Sequence, residues 1–291
     1  MTTKSNGGVS GGTVLRAAFD ERRLIRVAGV HDAISAIVAN EVGFDALWAS
    51  GLGISAAAGV PDMSFLGLTD YLAAARNMIE ATNLPLIADC DTGFGNSINA
   101  AFVATRFERI GAAAICLEDK VFPKRNSFAL KGQQLEIAEE FAQKIAATAQ
   151  AKNKDLVLIA RTESLICGCD INEAIRRCAL YVEAGADAVL IHSKRSEPSE
   201  VKSFLAKWKR RAPVVIVPTT YSGWHSEEAV AAGVDVIIYA NQALRAGITD
   251  MRRVLQRILD DGTSEAIEDA VVSVEEIFSL TKMSYWAGFG K

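Results

Sequence analysis

Short apolar runs alternate along this chain with longer segments of helix length. Runs at residues 24–30, 84–88, 156–160 and 214–217 are nearly free of polar side chains, as in buried strands. Four further runs begin directly after a glycine that ends a helical segment, at Gly43, Gly111, Gly185 and Gly233. Near-continuous apolar strands separated by helices indicate a parallel sheet covered by helices. Eight such units predict an α/β protein with a (β/α)₈ TIM-type barrel.

An open, doubly wound sheet is the alternative architecture. It is disfavoured because no Gly-x-Gly-x-x-Gly motif follows the first strand, and the pair Gly93 and Gly95 follows the third strand without a third glycine at the required place. We predict a flexible, polar, glycine-rich N-terminal tail at residues 1–12 and one barrel domain with a C-terminal helical extension at 13–291. Helical patterns at 242–259 and 272–280 exceed what one closing helix needs.

Composition narrows the class of protein. Of the 291 residues, 50% are hydrophobic and 23% charged, which is the balance of a well-buried globular chain. The net charge of -4 argues against a nucleic-acid partner, and the densest basic run, 207–211, is typical of the solvated end of a helix. The N-terminus has no apolar leader, no run reaches the roughly 18 residues of a membrane span, and the five cysteines show no disulfide spacing. We therefore expect a cytoplasmic protein.

Polar side chains follow five of the predicted strands, at the carboxyl ends where barrel enzymes keep their chemistry. The second strand ends in Trp48-Ala-Ser50-Gly51, of which Ser50 is polar, and the others end in Asp89 and Asp91 (third), Glu118 (fourth), Arg161 (fifth) and His192 (sixth). A single such residue is usually a turn former or helix cap, but five strand ends with polar residues favour a site.

Three carboxylates suggest a metal. The period-2 alternation of a strand allows Asp89 and Asp91 to point the same way, with Glu118 beside them. Since unpaired carboxylates repel one another, a divalent cation is the natural compensation, and oxygen ligands favour Mg²⁺. The alternative is that Asp91 only caps the helix beginning near Ser97.

The cationic residues indicate an anionic substrate. Arg161 supplies a fork of donors for phosphate or carboxylate, Lys124 and Asn126 lie on a segment able to close over a substrate, and the backbone from Ser50 to Leu52 is a candidate anion nest. The alternatives to a functional role are a structural ion pair for Arg161, a solvent-exposed position for Lys124 and a hydrogen-bonded core position for His192.

The chain resembles the phosphoenolpyruvate mutase branch of the isocitrate lyase superfamily from about residue 15 to 280. The resemblance rests on Glu118-Asp119-Lys120 followed after five residues by Asn126-Ser127, and on Trp48-Ala-Ser50-Gly51, Asp62, the stretch 89–96, Ala160-Arg161 and His192-Ser193-Lys194. It implies a Mg²⁺-dependent isomerase that interconverts phosphoenolpyruvate and 3-phosphonopyruvate. It also implies metal binding by Asp89, Asp91 and Glu118, substrate contacts from Trp48, Ser50, Gly51, Leu52, Asn126, Arg161 and His192, a closing loop with Lys124, and Asp62 near the reacting groups.

The same resemblance leaves other activities to consider. Carbon–carbon lyases of the superfamily carry a cysteine in the loop that here spans 123–127, where this chain has none. Phosphonopyruvate hydrolases typically have threonine in place of Asn126, so hydrolysis to pyruvate and phosphate is the nearest alternative, and a non-catalytic barrel is the third. Relatives assemble as dimers of dimers with the last barrel helix exchanged, which predicts a homo-oligomer here.

Overall fold

Eight parallel strands form a closed barrel in the structure, a computed structural model that describes residues 9–129 and 132–290. Each strand pairs with its neighbours in chain order, and the barrel closes where Ile25 of the first strand pairs with Val236 of the last. The strands are β1 Ile25–Val30, β2 Ala46–Ala49, β3 Leu86–Asp89, β4 Ala114–Glu118, β5 Val157–Thr162, β6 Ala188–Ile191, β7 Val214–Ile216 and β8 Val236–Tyr239. Each overlaps one of the eight predicted runs, so the predicted TIM-type barrel is confirmed.

Helices separate the strands along the first compact unit of the chain, which extends to Asn241. They are α1 Gly11–Asp20, α2 Ala33–Val42, α3 Gly51–Ala57, α4 Leu68–Ala81, α5 Ser97–Arg109, α6 Ala138–Ala151, α7 Ile171–Glu183, α8 Ser199–Trp208 and α9 Ser226–Ala231. The four predicted glycines after α2, α5, α7 and α9 all have positive φ, from 90° to 107°. These helices therefore end at the left-handed residues that the sequence predicts.

Strand side chains alternate between two environments. Val27, Cys116 and Ile159 belong to a cluster drawn from all eight strands, which fills the barrel interior. Their neighbours in sequence, such as Ala28 and Leu117, pack in a second cluster with the helices outside. Because every second residue points inward, the same alternation continued past the strand ends places functional side chains over the interior.

Helix α1 precedes the barrel and packs against it. Its Leu15 belongs to the interior cluster, and Arg16 donates to the Asp187 carboxylate at 2.8 Å. A Cβ at Gly12 would lie 1.5 Å from the carbonyl oxygen of Asp155, so only glycine permits this approach. Of the predicted flexible tail, residues 1–8 lie outside the described residues, while α1 begins within the rest at Gly11.

A second compact unit begins at Gln242. It consists of α10 Gln242–Asp261, a 3₁₀ turn Glu265–Ala270, α11 Val274–Leu280, α12 Met283–Ala287 and a final 3₁₀ turn Gly288–Gly290. Across the described part of α10 no residue is buried, although Met251, Leu255 and Leu259 recur at a helical spacing of four. Over residues 9–129 and 132–290, none of the helices has both the length and the apolar character needed to span a membrane.

Candidate active site

A cavity opens at the carboxyl ends of the strands. Its walls include Trp48, Ser50, Leu52, Asp62, Asp89, Glu118, Lys120, Lys124, Asn126, Ser127, Phe128, Arg161, His192, Val217, Thr219, Ala240 and Asn241. Most of the residues predicted from the sequence thus line one cavity.

Asp89 and Asp91 reach this region by different routes. Asp89 is the last residue of β3, and its two oxygens accept from the backbone N–H groups of Gly51 and Asp91, both at 3.3 Å. Asp91 lies beyond the strand with φ of 50°, in the left-handed region. Strand alternation therefore does not explain the position of Asp91, contrary to our expectation, because the chain turns between the two residues. Nor does Asp91 cap α5, whose N-cap is Asn96.

A lysine stands among the carboxylates. Lys124 is buried, and its Nζ lies 2.9 Å from Oδ1 of Asp62 and 2.5 Å from Oδ1 of Asp91. Burial lowers the pKa of Lys124, but the charges of Asp91, Asp89 and Asp62 outweigh this effect and hold that pKa well above its usual value. The alternative of a solvent-exposed Lys124 is thus excluded. Its ammonium group supplies positive charge beside Asp62 and Asp91.

The remaining repulsion among the carboxylates appears in their pKa values. Burial, despite the opposing field of Lys124, raises the pKa of Asp91 to about 7 and also raises that of Asp89. For Asp62 burial raises the pKa as well, yet Lys124 and the Asn126 amide together reverse the sign and leave it below its usual value. Asp62 is therefore ionised at neutral pH, whereas burial keeps the pKa values of Asp89 and Asp91 above their usual value even beside Lys124.

The described residues contain no ready-made cluster of three His, Cys, Asp or Glu side chains with metal-binding geometry. The donor set nevertheless suits a hard cation. Asp91 Oδ1 and Glu118 Oε1 are buried carboxylate oxygens, and lysines now provide the positive charge beside them, with Lys124 Nζ 2.5 Å from the first and Lys120 Nζ 3.5 Å from the second. Binding of Mg²⁺ by Asp89, Asp91 and Glu118 stays a prediction, and it requires these side chains to move together.

Asn126 lines the cavity and connects its own segment of the chain to Asp62. Its Nδ2 donates to Oδ2 of Asp62 at 2.7 Å, and its Oδ1 accepts from the backbone N–H of Phe128 at 3.0 Å. Both ends of the amide are thus fixed, which orients Asp62 and the segment carrying Lys124. We call residues 121–129 the lid segment.

Arg161 and His192 form a cationic corner. Arg161 Nη2 lies 3.0 Å from His192 Nδ1, and Arg161 Nε lies 3.3 Å from Oε2 of Glu118. Burial, together with Arg161, lowers the pKa of His192 against the raising effect of Glu163. Nε2 of His192 is buried without a hydrogen-bond partner among the described residues. When the ring is protonated on both nitrogens, Nδ1 donates to Glu163 and Nε2 can donate to an anion, as can the guanidinium of Arg161.

The predicted anion nest is only partly available. The side chain of Ser50 caps α3 by accepting from Gly53 N–H at 3.2 Å, and the N–H of Gly51 already donates to Asp89. Trp48, Ser50 and Leu52 do line the cavity, while Gly51 supports Asp89 from behind. The first turn of α3 therefore serves both the carboxylate and the cavity wall.

Several residues of the site received no role in the sequence-based interpretation, although Asp119 and Ser127 belong to the motif that carries the family resemblance. Glu163 and Ser127 contact Arg161, and Asp119 supports Glu163 from behind, while Thr219 and Asn241 extend the lining to β7 and β8. Glu163 follows Arg161 by two residues, so strand alternation alone could have placed both on one side. Thr219 and Asn241 carry no comparable signal.

The fold and cavity define a (β/α)₈-barrel enzyme with carboxylates, a lysine and an arginine–histidine pair at one end. The chain belongs to the phosphoenolpyruvate phosphomutase family, which it matches over residues 15–259. It is 43% identical over 281 residues to a phosphoenolpyruvate phosphomutase of Streptomyces hygroscopicus, covering 96% of this chain and 88% of that protein. It is 42% identical over 269 residues to a phosphonopyruvate hydrolase of Variovorax sp. (strain Pal2), covering 91% and 93%.

Among solved structures, a crystal structure of phosphonopyruvate hydrolase in complex with oxalate and Mg²⁺ is similar, with a TM-score of 0.91 and 39% identity. The similarity covers 96% of this chain and 98% of that one. The family resemblance predicted from the motifs is confirmed, as is the prediction of an enzyme. Of the two relatives described above, one is named as a mutase and the other as a hydrolase, and their identities to this chain are nearly equal.

Proposed function

We propose that this protein is a Mg²⁺-dependent phosphoenolpyruvate mutase, which interconverts phosphoenolpyruvate and 3-phosphonopyruvate. The observation that carries the proposal is that one cavity is lined both by carboxylates and by Arg161 and His192, with the Asn126 amide bonded to Asp62. We call the part with Asp89 and Glu118 the carboxylate side and the part with Arg161 and His192 the cationic side. Such a cavity suits a small molecule that carries both a pyruvyl group and a phosphoryl group.

On the carboxylate side, Asp89, Asp91 and Glu118 are the proposed ligands of Mg²⁺. The relative crystallised with oxalate and Mg²⁺ supports Mg²⁺ as the cation. Oxalate resembles the enolate of pyruvate in charge and shape. The bound cation would stabilise negative charge on the pyruvyl oxygens. Lys124, which contacts Asp62 and Asp91, would then balance the carboxylate charge that the cation does not neutralise.

On the cationic side, Arg161 and Nε2 of His192 would hold the phosphoryl group. In the direction of phosphonopyruvate formation the P–O bond of phosphoenolpyruvate breaks and a P–C bond forms at the methylene carbon. No proton is gained or lost, so the reaction asks for no general base. Phosphoryl transfer through a loose, metaphosphate-like state needs mainly positioning and charge stabilisation, which buried fixed donors supply.

Water must be kept out for the transfer to end on carbon. The lid segment contributes Lys124, Asn126 and Phe128, and the Phe128 ring packs edge-on against His192 at a centroid distance of 5.7 Å. If water entered, the products would be pyruvate and phosphate, which is the second candidate function. The near-equal identity to a named hydrolase favours testing both.

The test is incubation of the purified protein with phosphonopyruvate and Mg²⁺, followed by phosphorus NMR. The mutase proposal predicts loss of the phosphonate resonance and growth of the phosphoenolpyruvate resonance, with little inorganic phosphate. Accumulation of phosphate and pyruvate instead would identify a hydrolase, and an unchanged spectrum in the presence of Mg²⁺ would contradict both. A parallel sample with EDTA reports on the metal.

Assembly and location complete the proposal. The unburied residues Met251, Leu255 and Leu259 of α10 recur every four positions, and α2 carries an exposed row with the same spacing, Ile34, Val38 and Val42. Rows of this kind are typical of interfaces, so we propose a homo-oligomer, a dimer of dimers with the C-terminal helix exchanged between subunits. Sedimentation analysis tests the stoichiometry. The five cysteines are free thiols, which suits the reducing cytoplasm that we propose.

A further inference from the structure

Glu163 is a fully buried carboxylate at the cationic side of the cavity. It follows β5 directly and stands two residues after Arg161, yet the proposed chemistry assigns it no task. A buried carboxylate is costly unless several donors compensate it, so its partners indicate what it does.

Two of its partners belong to the phosphoryl-binding pair. Oε1 accepts from Nε of Arg161 at 2.7 Å and lies 2.9 Å from Nδ1 of His192. The guanidinium and the imidazole are therefore held by the same oxygen atom. Any displacement of Glu163 would turn both groups away from their present orientation.

The other oxygen faces the lid segment. Ser127 Oγ donates a short hydrogen bond to Oε2, and Nη2 of Arg161 donates to the same hydroxyl at 2.9 Å. Lys120 Nζ lies 3.3 Å from Oε2 and donates to the backbone carbonyl of Arg125 at 2.5 Å. The lid segment thus docks on Glu163 through a hydroxyl and through a lysine that also holds the lid backbone.

Glu163 is itself fixed from behind. Its N–H donates to Oδ1 of Asp119 at 2.8 Å, and Oδ2 of Asp119 accepts from Thr162, Tyr181 and Arg177. Burial raises the pKa of Glu163, but Arg161 and His192 dominate and keep that pKa well below its usual value. The carboxylate is therefore a charged acceptor on a rigid support.

We propose that Glu163 is a positioning residue that links closure of the lid segment to the orientation of Arg161 and His192. When Ser127 docks on Oε2, the lid closes against the same carboxylate that aligns the phosphoryl-binding pair on Oε1. Closure and alignment are then a single event, so a phosphoryl group meets its binding groups only when water is excluded. This inference rests on the proposed function for the identity of the migrating group, but the docking itself does not depend on it.

The first test measures lid closure without any substrate. Trypsin cleavage after Lys124 or Arg125 in the native protein, followed by mass spectrometry, reports how often the lid segment opens. We expect Glu163→Gln and Ser127→Ala each to raise the cleavage rate about tenfold, because each removes a charge-assisted hydrogen bond. The double variant should cleave no faster than the faster single variant, since both changes break the same link.

The matched control is Glu139→Gln, which changes an exposed glutamate paired with Arg176 on the surface. It should leave the cleavage rate as in the original protein. Unchanged cleavage in both Glu163→Gln and Ser127→Ala would overturn the inference. If Glu163→Gln does not fold, as judged by circular dichroism, Ser127→Ala alone decides, because its side chain lies in the lid segment.

The second test uses turnover. Phosphorus NMR with phosphonopyruvate should show a larger fraction of phosphate plus pyruvate for both variants than for the original protein, together with a fall in kcat. A merely structural role would lower the amount of active enzyme without changing this product ratio. Absence of any turnover in the original protein would refute the proposed function, whereas an unchanged ratio in the variants would refute this inference.

Discussion

Replacement of Asp119 by asparagine is the sharpest test of how the site is supported. Asp119 is fully buried and accepts four hydrogen bonds: Glu163 N–H reaches Oδ1 at 2.8 Å, and Thr162, Tyr181 and Arg177 reach Oδ2 at 2.8, 2.7 and 3.2 Å. All four partners are donors. An asparagine has one oxygen for them, and its NH₂ group must face the others.

The cheaper orientation keeps the oxygen at the position of Oδ2. The NH₂ group then faces the N–H of Glu163, which leaves a buried backbone donor unsatisfied at a cost of about 1–3 kcal/mol. The neutral oxygen also weakens the bond from Arg177, which is partly charge-assisted. Together these effects predict a loss of roughly 2–4 kcal/mol in the free energy of unfolding.

The assay is urea-induced unfolding of Asp119→Asn, followed by circular dichroism at one protein concentration. The control is Glu80→Gln, which removes an exposed i,i+4 pair with Arg76 and should cost only about 0.3–0.5 kcal/mol. If Asp119→Asn is no less stable than this control, the reasoning about the buried network is refuted. Far-UV spectra before unfolding establish that both variants retain the barrel.

Three further predictions concern the cavity. Asp89→Ala should abolish Mg²⁺-dependent turnover, with kcat/KM reduced about a hundredfold or more and an unchanged far-UV spectrum, because a buried electrostatic group is lost; retained activity would contradict its assigned role. Asn126→Thr should raise the fraction of phosphate released from phosphonopyruvate, measured by NMR. The control is Asn153→Thr, in the loop between α6 and β5, which should leave that fraction unchanged. Gly51→Ala should weaken activity up to about tenfold, because the new Cβ would lie 3.0 Å from Oδ2 of Asp89, whereas Gly223→Ala, with open space around it, should not.

The barrel was predictable because its strands are buried on both faces. An apolar run such as residues 156–160, followed by a segment long enough for a helix, is compatible with few folds. Glycines such as Gly185 indicate where helices end, because glycine readily adopts the positive φ found there. The same logic found Glu118 and Arg161, which continue the inward alternation of β4 and β5. Local pattern and tertiary structure agree at these positions.

Other features depend on contacts that no pattern encodes. The position of Asp91 follows from a left-handed turn, and the burial of Lys124 follows from a lid segment folded back over the cavity. Asp119 adjoins Glu118 in sequence but faces α7, where Arg177 and Tyr181 donate hydrogen bonds to its carboxylate. Its supporting role becomes visible only when β4 and α7 are packed together, which is a matter of tertiary structure.

The central claim is that the cavity moves a phosphoryl group between oxygen and carbon of one substrate rather than delivering it to water. The most direct measurement is the ratio of phosphoenolpyruvate to inorganic phosphate formed from phosphonopyruvate with saturating Mg²⁺, read by phosphorus NMR at early times. The account predicts that phosphoenolpyruvate is the main product and that EDTA stops its formation. Phosphate as the main product from the earliest time would contradict the claim.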